Sequence, residues 1–303
     1  MEFGIGRRVP QNLKDLVEWG QLIESYGFDY VGLADSQSLQ PDPYVALALM
    51  AGSTRVVHMG PEATNPITRH PAVTASAIAS INRISGGRAF ITVASGDSAI
   101  ENIGLHPARL SELREYLLTL RALFNGESCT YKGARIHTKW IRDDIPIVLA
   151  AEGPKTLCLA GEVADVALVH TGLTPQILDA TIGHIRDGER AAGRPLGTVK
   201  VAAFAYCRVA DSREEALQPI KGGISASANH AFRVTLEGKH VPTEFVEPIL
   251  TLRKRYNNAE HGDRGTPSAA LPDELGLTEF LAERFSVAGT PEECREKVKM
   301  VES

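Results

Sequence analysis

VVHMG (Val56–Gly60), PAVTASAIASINRIS (Pro71–Ser85) and AFITVA (Ala89–Ala94) follow one another in this order, and their reading decides the fold. The outer runs are short, apolar and β-prone. The middle run is long, carries its apolar residues at helical spacing and opens on a proline, whose missing amide hydrogen is not needed at a helix start. A strand, a helix and a strand in succession predict two parallel strands joined by a crossover helix.

The alternation extends in both directions. Upstream, residues 2–7 read as a strand, 12–27 as a helix, 30–34 as a strand and 44–53 as a helix; Leu13, Leu16, Val17, Leu22 and Ile23 give the first helix its three-to-four spacing. Downstream come a helix over 110–124, a hairpin within 128–138 around Lys132–Gly133, and a strand over 147–151. A helix over 154–164, a strand over 166–170, a helix over 174–192 and a strand over 199–206 follow. Seven strand–helix units predict an α/β fold of parallel strands joined by helices, with 1–303 as one domain. Residues 211–285 break the rhythm with turn formers such as Asn257, Asn258, Gly262, Gly265 and Pro267, and are expected to be an inserted, partly mobile region. Phe285–Pro291 reads as a turn leading into a capped helix, and the chain stops at Ser303. The eighth strand is therefore expected to be missing, either because the chain is part of a longer protein or because another segment covers the gap.

Composition narrows the function. The 303 residues carry 32 Lys+Arg against 37 Asp+Glu, with 43% hydrophobic residues and no basic block. That balance argues against a nucleic-acid footprint, which needs clustered cations, and favours small-molecule chemistry. Cys129, Cys158, Cys207 and Cys294 have neither metal-ligand spacing nor a disulfide pattern. No apolar stretch is long enough for a signal peptide or a membrane span, so a cytoplasmic protein is expected.

In a parallel barrel the chemistry lies where strands end. Those junctions are polar here: Asp35-Ser36, Thr64-Asn65, Ser95-Gly96-Asp97-Ser98, Glu152-Gly153 and His170-Thr171-Gly172. Each alone is an ordinary turn or cap, and five together suggest a binding rim. Gly153-Pro154-Lys155-Thr156 opens a helix with free amides, a hydroxyl and a cation, a combination that suits a phosphate and equally a plain proline-initiated helix. His70 reads as a helix cap, and Arg69 as a cation that could meet a carboxylate or phosphate at the rim. The phosphate-loop, dinucleotide, GxSxG and HExxH motifs are all absent. No nucleophile or paired carboxylates stand out, as expected when a cofactor does the chemistry. Asp35 and His170 are the candidates for a direct catalytic role.

The stretch Gly60-Pro61-Glu62-Ala63-Thr64-Asn65-Pro66-Ile67-Thr68-Arg69-His70-Pro71-Ala72, with Ile84-Ser85-Gly86-Gly87-Arg88 and Ser95-Gly96-Asp97, resembles the bacterial luciferase-like superfamily. Within it the chain is most similar to the methylenetetrahydromethanopterin reductase branch, along nearly its whole length. The resemblance implies a TIM (β/α)8 barrel holding a reduced flavin or deazaflavin at the strand ends, over a bulge at Glu62-Ala63-Thr64-Asn65 that often contains a cis non-proline peptide. It implies cofactor contacts from Asp35, Ala63, Thr64, Asn65, Gly96, Asp97 and Ser98, and from Glu152, Gly153, Lys155, Thr156 and Gly172 towards the phosphate. Two positions depart from the branch: Ser36 stands where His is usual, and Glu62 where Gly is usual.

Three functions follow as expectations. The first is a monooxygenase using reduced FMN as co-substrate, supplied by a separate flavin reductase, with O2 and a small organic substrate. The second is a deazaflavin-dependent hydride-transfer reductase, for which Lys239, Arg253, Lys254 and Arg255 could serve an anionic coenzyme tail. The third is a non-catalytic flavin-binding protein. Small residues on the third helix, Ala72, Ala75, Ser76, Ala77, Ala79 and Ser80, permit close helix packing; the resemblance implies a homodimer through this part of the barrel, the alternative being packing within the chain.

Overall fold

A computed structural model describes residues 1–233 and 235–302. It divides into two compact units: the first comprises residues 1–151, 155–167 and 185–200, the second residues 152–154, 168–184 and 201–303.

The first unit opens with β1 (Gly4–Arg7), α1 (Leu13–Ser25), β2 (Tyr30–Leu33), α2 (Pro43–Ser53), β3 (His58–Pro61), α3 (Pro71–Ser85) and β4 (Ile91–Val93). A short α4 (Ser98–Glu101) and α5 (Leu110–Phe124) follow, then the hairpin β5 (Cys129–Tyr131) and β6 (Ala134–Ile136), and β7 (Ile147–Ala151). The hairpin turns on Lys132 and Gly133, both at positive φ. Strands β1, β2 and β3 pair in parallel in that order, Gly4 opposite Tyr30 and Tyr30 opposite His58. A second sheet runs β4, β7, β8 (Val166–Val169), β9 (Lys200–Ala203), and α6 (Pro154–Val163) and α7 (Pro175–Ala191) alternate with its strands.

Caps set the helices. Asn12 accepts from Lys14 N, Asp42 from Tyr44 N and Val45 N, and His70 Nδ1 from Ala72 N. His70 is thus the expected cap. Leu16, Val31, Leu33, Leu47, Met50, Met59, Ile78, Ile91, Tyr116 and Phe124 are fully buried. Ala75 and Ala79 of the small-residue helix are buried within this unit. At the entrance to β3 the Glu24 carboxylate accepts from the successive amides of Arg55, Val56 and Val57, which lowers its pKa despite burial acting the other way.

The pairing of β3 with the following strand is interrupted. Met59 bridges Ala89 and Thr64 bridges Val93. The cis peptide Glu62–Ala63 falls in the gap, at the bulge that the resemblance implies.

The second unit holds β10 (Tyr206–Val209), α8 (Arg213–Leu217), α9 (Lys221–Ala231), α10 (Thr243–Arg255), α11 (Pro267–Glu274), α12 (Thr278–Phe285), β11 (Ser286–Gly289) and α13 (Pro291–Glu302). Its core is built by the helices of the 211–285 region: Ile224, Phe232, Ile249, Leu252, Leu281 and Phe285 are all fully buried.

Two expectations are corrected. The strand anticipated over 199–206 is interrupted at Phe204–Ala205, giving β9 and β10. The segment read as a turn contains a short strand, β11, which pairs in parallel with β10, Tyr206 opposite Ser286 and Val209 opposite Gly289. Ser-Val-Ala-Gly offers too few apolar residues to stand out.

Candidate active site

In the first unit the structure assembles the residues that follow β2, β3 and β4. Asp42 and Pro43 start α2 and place Tyr44 in its first turn, where the buried Tyr44 hydroxyl donates to Thr64 Oγ1 at 3.1 Å. Burial raises the Tyr44 pKa above the usual phenol range, so the hydroxyl stays a donor. Thr64 is fully buried and also hydrogen-bonds the side chain of Asp35. Burial raises the Asp35 carboxyl above the ordinary carboxylate range, with Thr64 and Arg69 acting against it. Arg69 is held by Asp42 and stacks over the Tyr44 ring at 4.2 Å, so its rim carboxylate is the chain's own.

Asn65 organises the next turn. Its Oδ1 accepts from Ile67 N, Thr68 N and Thr68 Oγ1 at 3.0, 2.9 and 3.2 Å. Its buried Nδ2 has no partner, and neither has the buried Oδ2 of Asp35. Unmet buried polar atoms are costly and are uncommon unless a ligand meets them.

The loop after β4 is tied to the loop after β2. Ser36 Oγ and Ser98 Oγ share a hydrogen bond of 3.1 Å, and Gln37 Nε2 donates to the Ala99 carbonyl. Gly96 has φ +104°, and a β-carbon there would meet Ile100 Cγ1 at 3.1 Å. Asp97 then opens α4. Asp35, Ala63, Thr64, Asn65, Gly96, Asp97 and Ser98 are thus all on the loops that end β2, β3 and β4. Lys155 and Thr156, also in this unit, lie in the first turn of α6, Lys155 exposed.

In the second unit His170 is enclosed by the rings of Phe204, Phe285 and Tyr206 at centroid distances of 4.9, 5.3 and 6.4 Å. Its Nε2 is 3.2 Å from Ser227 Oγ, and the Ser227 hydroxyl donates to the Gly223 carbonyl, which favours a proton on Nε2. Burial, then the charges of His230 and Arg284, push His170 down to about 3, so it is neutral at pH 7. Its 3.8 Å approach to Glu152 is therefore not an ion pair at that pH. Glu152 also lies 3.5 Å from His230 Nε2. Gly153 has open space where a β-carbon would be. Gly172, at φ +136°, makes room for Arg284, whose Cγ would be 2.9 Å from a β-carbon there.

The neutral His170 has a consequence for stability. Its folded pKa lies below its unfolded value, so between about pH 6.5 and about 3 the unfolded chain binds more protons. The stabilisation is complete above pH 6.5 and is lost as the pH falls. Wild type is expected to lose about 1–2 kcal/mol more than His170→Asn between pH 7 and pH 5. Urea titrations of both proteins at the two pH values measure the difference.

Three of the four basic residues noted in the 211–285 region, Lys239, Arg253 and Arg255, have partners within the chain. Lys239 Nζ donates to the Ala231 carbonyl at 2.6 Å, Arg253 to the Arg233 carbonyl and Arg255 to Glu274 at 2.5 Å. Sequence reading did not single out Tyr44, Ser227 or Arg284. An Asp-Pro helix start beside a strand end could have pointed to Tyr44; Ser227 and Arg284 carry no local signal. Among the described residues no His/Cys/Asp/Glu group could hold a metal ion, and no helix is long and apolar enough to cross a membrane.

The luciferase-like monooxygenase family model matches residues 1–303. The 5,10-methylenetetrahydromethanopterin reductase of Archaeoglobus fulgidus is 30% identical over 308 residues, covering 98% of this chain and 89% of that protein. The solved coenzyme F420 dependent tetrahydromethanopterin reductase from Methanopyrus kandleri aligns with a TM-score of 0.81 at 26% identity, covering 99% of this chain and 89% of that one. A monooxygenase structure from Streptomyces bottropensis aligns with a TM-score of 0.67 at 19% identity, over 99% of this chain and 88% of that one. That lower likeness shows the shared fold alone. The expectation of an FMN-dependent monooxygenase is accordingly corrected: the relatives that match at 26–30% identity include 5,10-methylenetetrahydromethanopterin reductases and F420-dependent dehydrogenases. The chain belongs to the luciferase-like monooxygenase family, has its α/β fold of the TIM (β/α)8 type, and is an oxidoreductase similar to the methylenetetrahydromethanopterin reductase branch.

Proposed function

We propose that this protein is a reductase that transfers hydride between a deazaflavin coenzyme and a small-molecule substrate. The observation that carries the reading is full-length likeness to the coenzyme F420 dependent reductase, at 26% identity and a TM-score of 0.81. The residues present suit the group. A deazaflavin ring edge offers both carbonyl acceptors and an N–H donor, and the loops after β2 and β3 carry one buried, unmet donor, Asn65 Nδ2, and one buried, unmet acceptor, Asp35 Oδ2.

Asp35 and Asn65 would hold the ring edge, and the Ala63–Thr64 bulge would support a ring face. Gly96, Asp97 and Ser98 would border the ring, and Lys155 with Thr156 at the start of α6 would meet a coenzyme phosphate. When bound, the reduced deazaflavin supplies two electrons as hydride. The protein's own work is to fix the ring and exclude water, with Tyr44 and Thr64 keeping Asp35 in place. A pterin carrying a one-carbon unit, the substrate named for the reductase relatives, is the first substrate to test.

The test is a fluorescence titration of the purified protein with the deazaflavin coenzyme and, separately, with FMN. Tight binding of the deazaflavin, together with its substrate-dependent oxidation under anaerobic conditions, is the expected result. Preference for FMN, or oxidation that requires O2, would overturn the reading. Asn65→Ala is expected to weaken deazaflavin binding about tenfold or more, through loss of a buried hydrogen bond.

A further inference from the structure

Glu62 opens the bulge that contains Thr64 and Asn65. It follows β3 directly, its amide donates to the Leu33 carbonyl at 2.7 Å, and it forms the cis peptide with Ala63. Its side chain occupies space left by two glycines on neighbouring strands. A β-carbon at Gly32 of β2 would lie 2.6 Å from Glu62 Cδ, and one at Gly6 of β1 would lie 3.3 Å from Oε1. The carboxyl is thus laid across the ends of β1 and β2, two residues before Thr64.

No hydrogen bond or ion pair from a described side chain fixes this carboxyl. Burial alone raises it to about 7. The strands packed against it face it with glycine. The charged groups flanking those glycines are engaged elsewhere: Arg7 stacks over Trp19, and Asp35 bonds Thr64. Asp97, after β4, is not among the causes of its shift. The residue is only half-buried, so water can restore its proton.

We propose that Glu62 is the proton donor to the substrate, a role that rests on the reductase reading above. The substrate takes a hydride at carbon, supplied by the reduced deazaflavin, and the Glu62 proton at the adjoining nitrogen or oxygen. One C–H bond and one N–H or O–H bond form, and the substrate's C–N or π bond breaks with its electron pair going to the heteroatom. The substrate is reduced, the coenzyme is oxidised, and the carboxylate recovers a proton from water. A general acid is most effective when its affinity for the proton lies near the working pH, and such groups contribute about 10²–10⁴-fold.

The test combines Glu62→Gln and Glu62→Asp with two measurements. Infrared difference spectra of wild type against Glu62→Gln, recorded on the protein alone, are expected to show a neutral-carboxyl band that disappears with a midpoint near neutrality. In steady-state assays kcat is expected to fall at least 100-fold in Glu62→Gln while the deazaflavin Kd stays within twofold. Glu62→Asp should restore part of kcat and the alkaline limb of the pH profile. A carboxyl band that titrates in the ordinary range, or a Glu62→Gln variant with unchanged kcat and pH profile, overturns the proposal. Failure of wild type itself to bind or oxidise the deazaflavin is a different result, and overturns the reductase reading with it.

Discussion

Arg88→Met is expected to destabilise the first unit by about 3–5 kcal/mol, the range for breaking a buried charged hydrogen-bond network. Arg88 is 8% exposed and carries five side-chain hydrogen bonds. Nε donates to the Ser85 carbonyl at 2.7 Å, Nη1 to Val57 O at 2.6 Å and Thr54 Oγ1 at 3.0 Å, and Nη2 to Thr54 O at 2.9 Å and Ala51 O at 3.2 Å. One guanidinium therefore satisfies the carbonyls that end α2 and α3 and one at the entrance to β3. Methionine fills most of the volume and leaves those carbonyls without a donor. Arg88→Lys should recover only part of the loss, because a single ammonium cannot reach along a planar fork. Denaturant unfolding followed by circular dichroism measures both; a loss under 1 kcal/mol in Arg88→Met would show that water replaces the guanidinium.

Gly188→Ala is the second large effect, expected to be a loss of about 1–2 kcal/mol. The backbone of α7 passes so close to α6 that a β-carbon at Gly188 would lie 2.7 Å from the carbonyl carbon of Cys158. The reciprocal position is as tight: a β-carbon at Gly161 of α6 would lie 2.8 Å from Glu189 N. The obstacle is backbone, so relief requires the helices to part, and overpacking of this kind costs about 1–3 kcal/mol before lost contacts are counted. Alanine's higher helix propensity offsets about 1 kcal/mol of that. Gly183→Ala in the same helix is the control. Nothing lies within 4 Å of its β-carbon position, and the change should stabilise by up to about 1 kcal/mol. Equal behaviour of the two variants in urea titrations would refute the close-packing account.

The regular parts of this fold were legible because the chain punctuates them. Helix α3 begins with His70-Pro71 and ends at Gly86 in a left-handed conformation, and its expected and observed limits coincide, as they do for α5. β11 was hidden because α12 ends at Phe285 and the strand starts at Ser286, with no intervening turn to mark the change. In the candidate site, local signals identified residues and not their partners. Asp35, Thr64 and Asn65 could be named from strand ends, whereas the Tyr44–Thr64–Asp35 chain depends on α2 lying beside β3. Glu62 was visible as an unusual residue. The room it occupies comes from Gly6 and Gly32, far away in sequence and themselves silent.

The self-contained carboxylate of Glu24 bears on how such a scaffold changes its chemistry. At the start of β3 an acidic side chain already answers three amides, and Arg88 answers the nearby carbonyls. At the opposite ends of β2 and β3, Asp35 and Asn65 keep polar atoms unanswered. On the proposed function, folding information and ligand information are thereby written at opposite ends of four-residue strands. Loops following β2, β3 and β4 can be exchanged to alter what is recognised while the opposite end continues to specify the register, so libraries confined to those loops should retain folded members at a higher rate than libraries placed around Glu24.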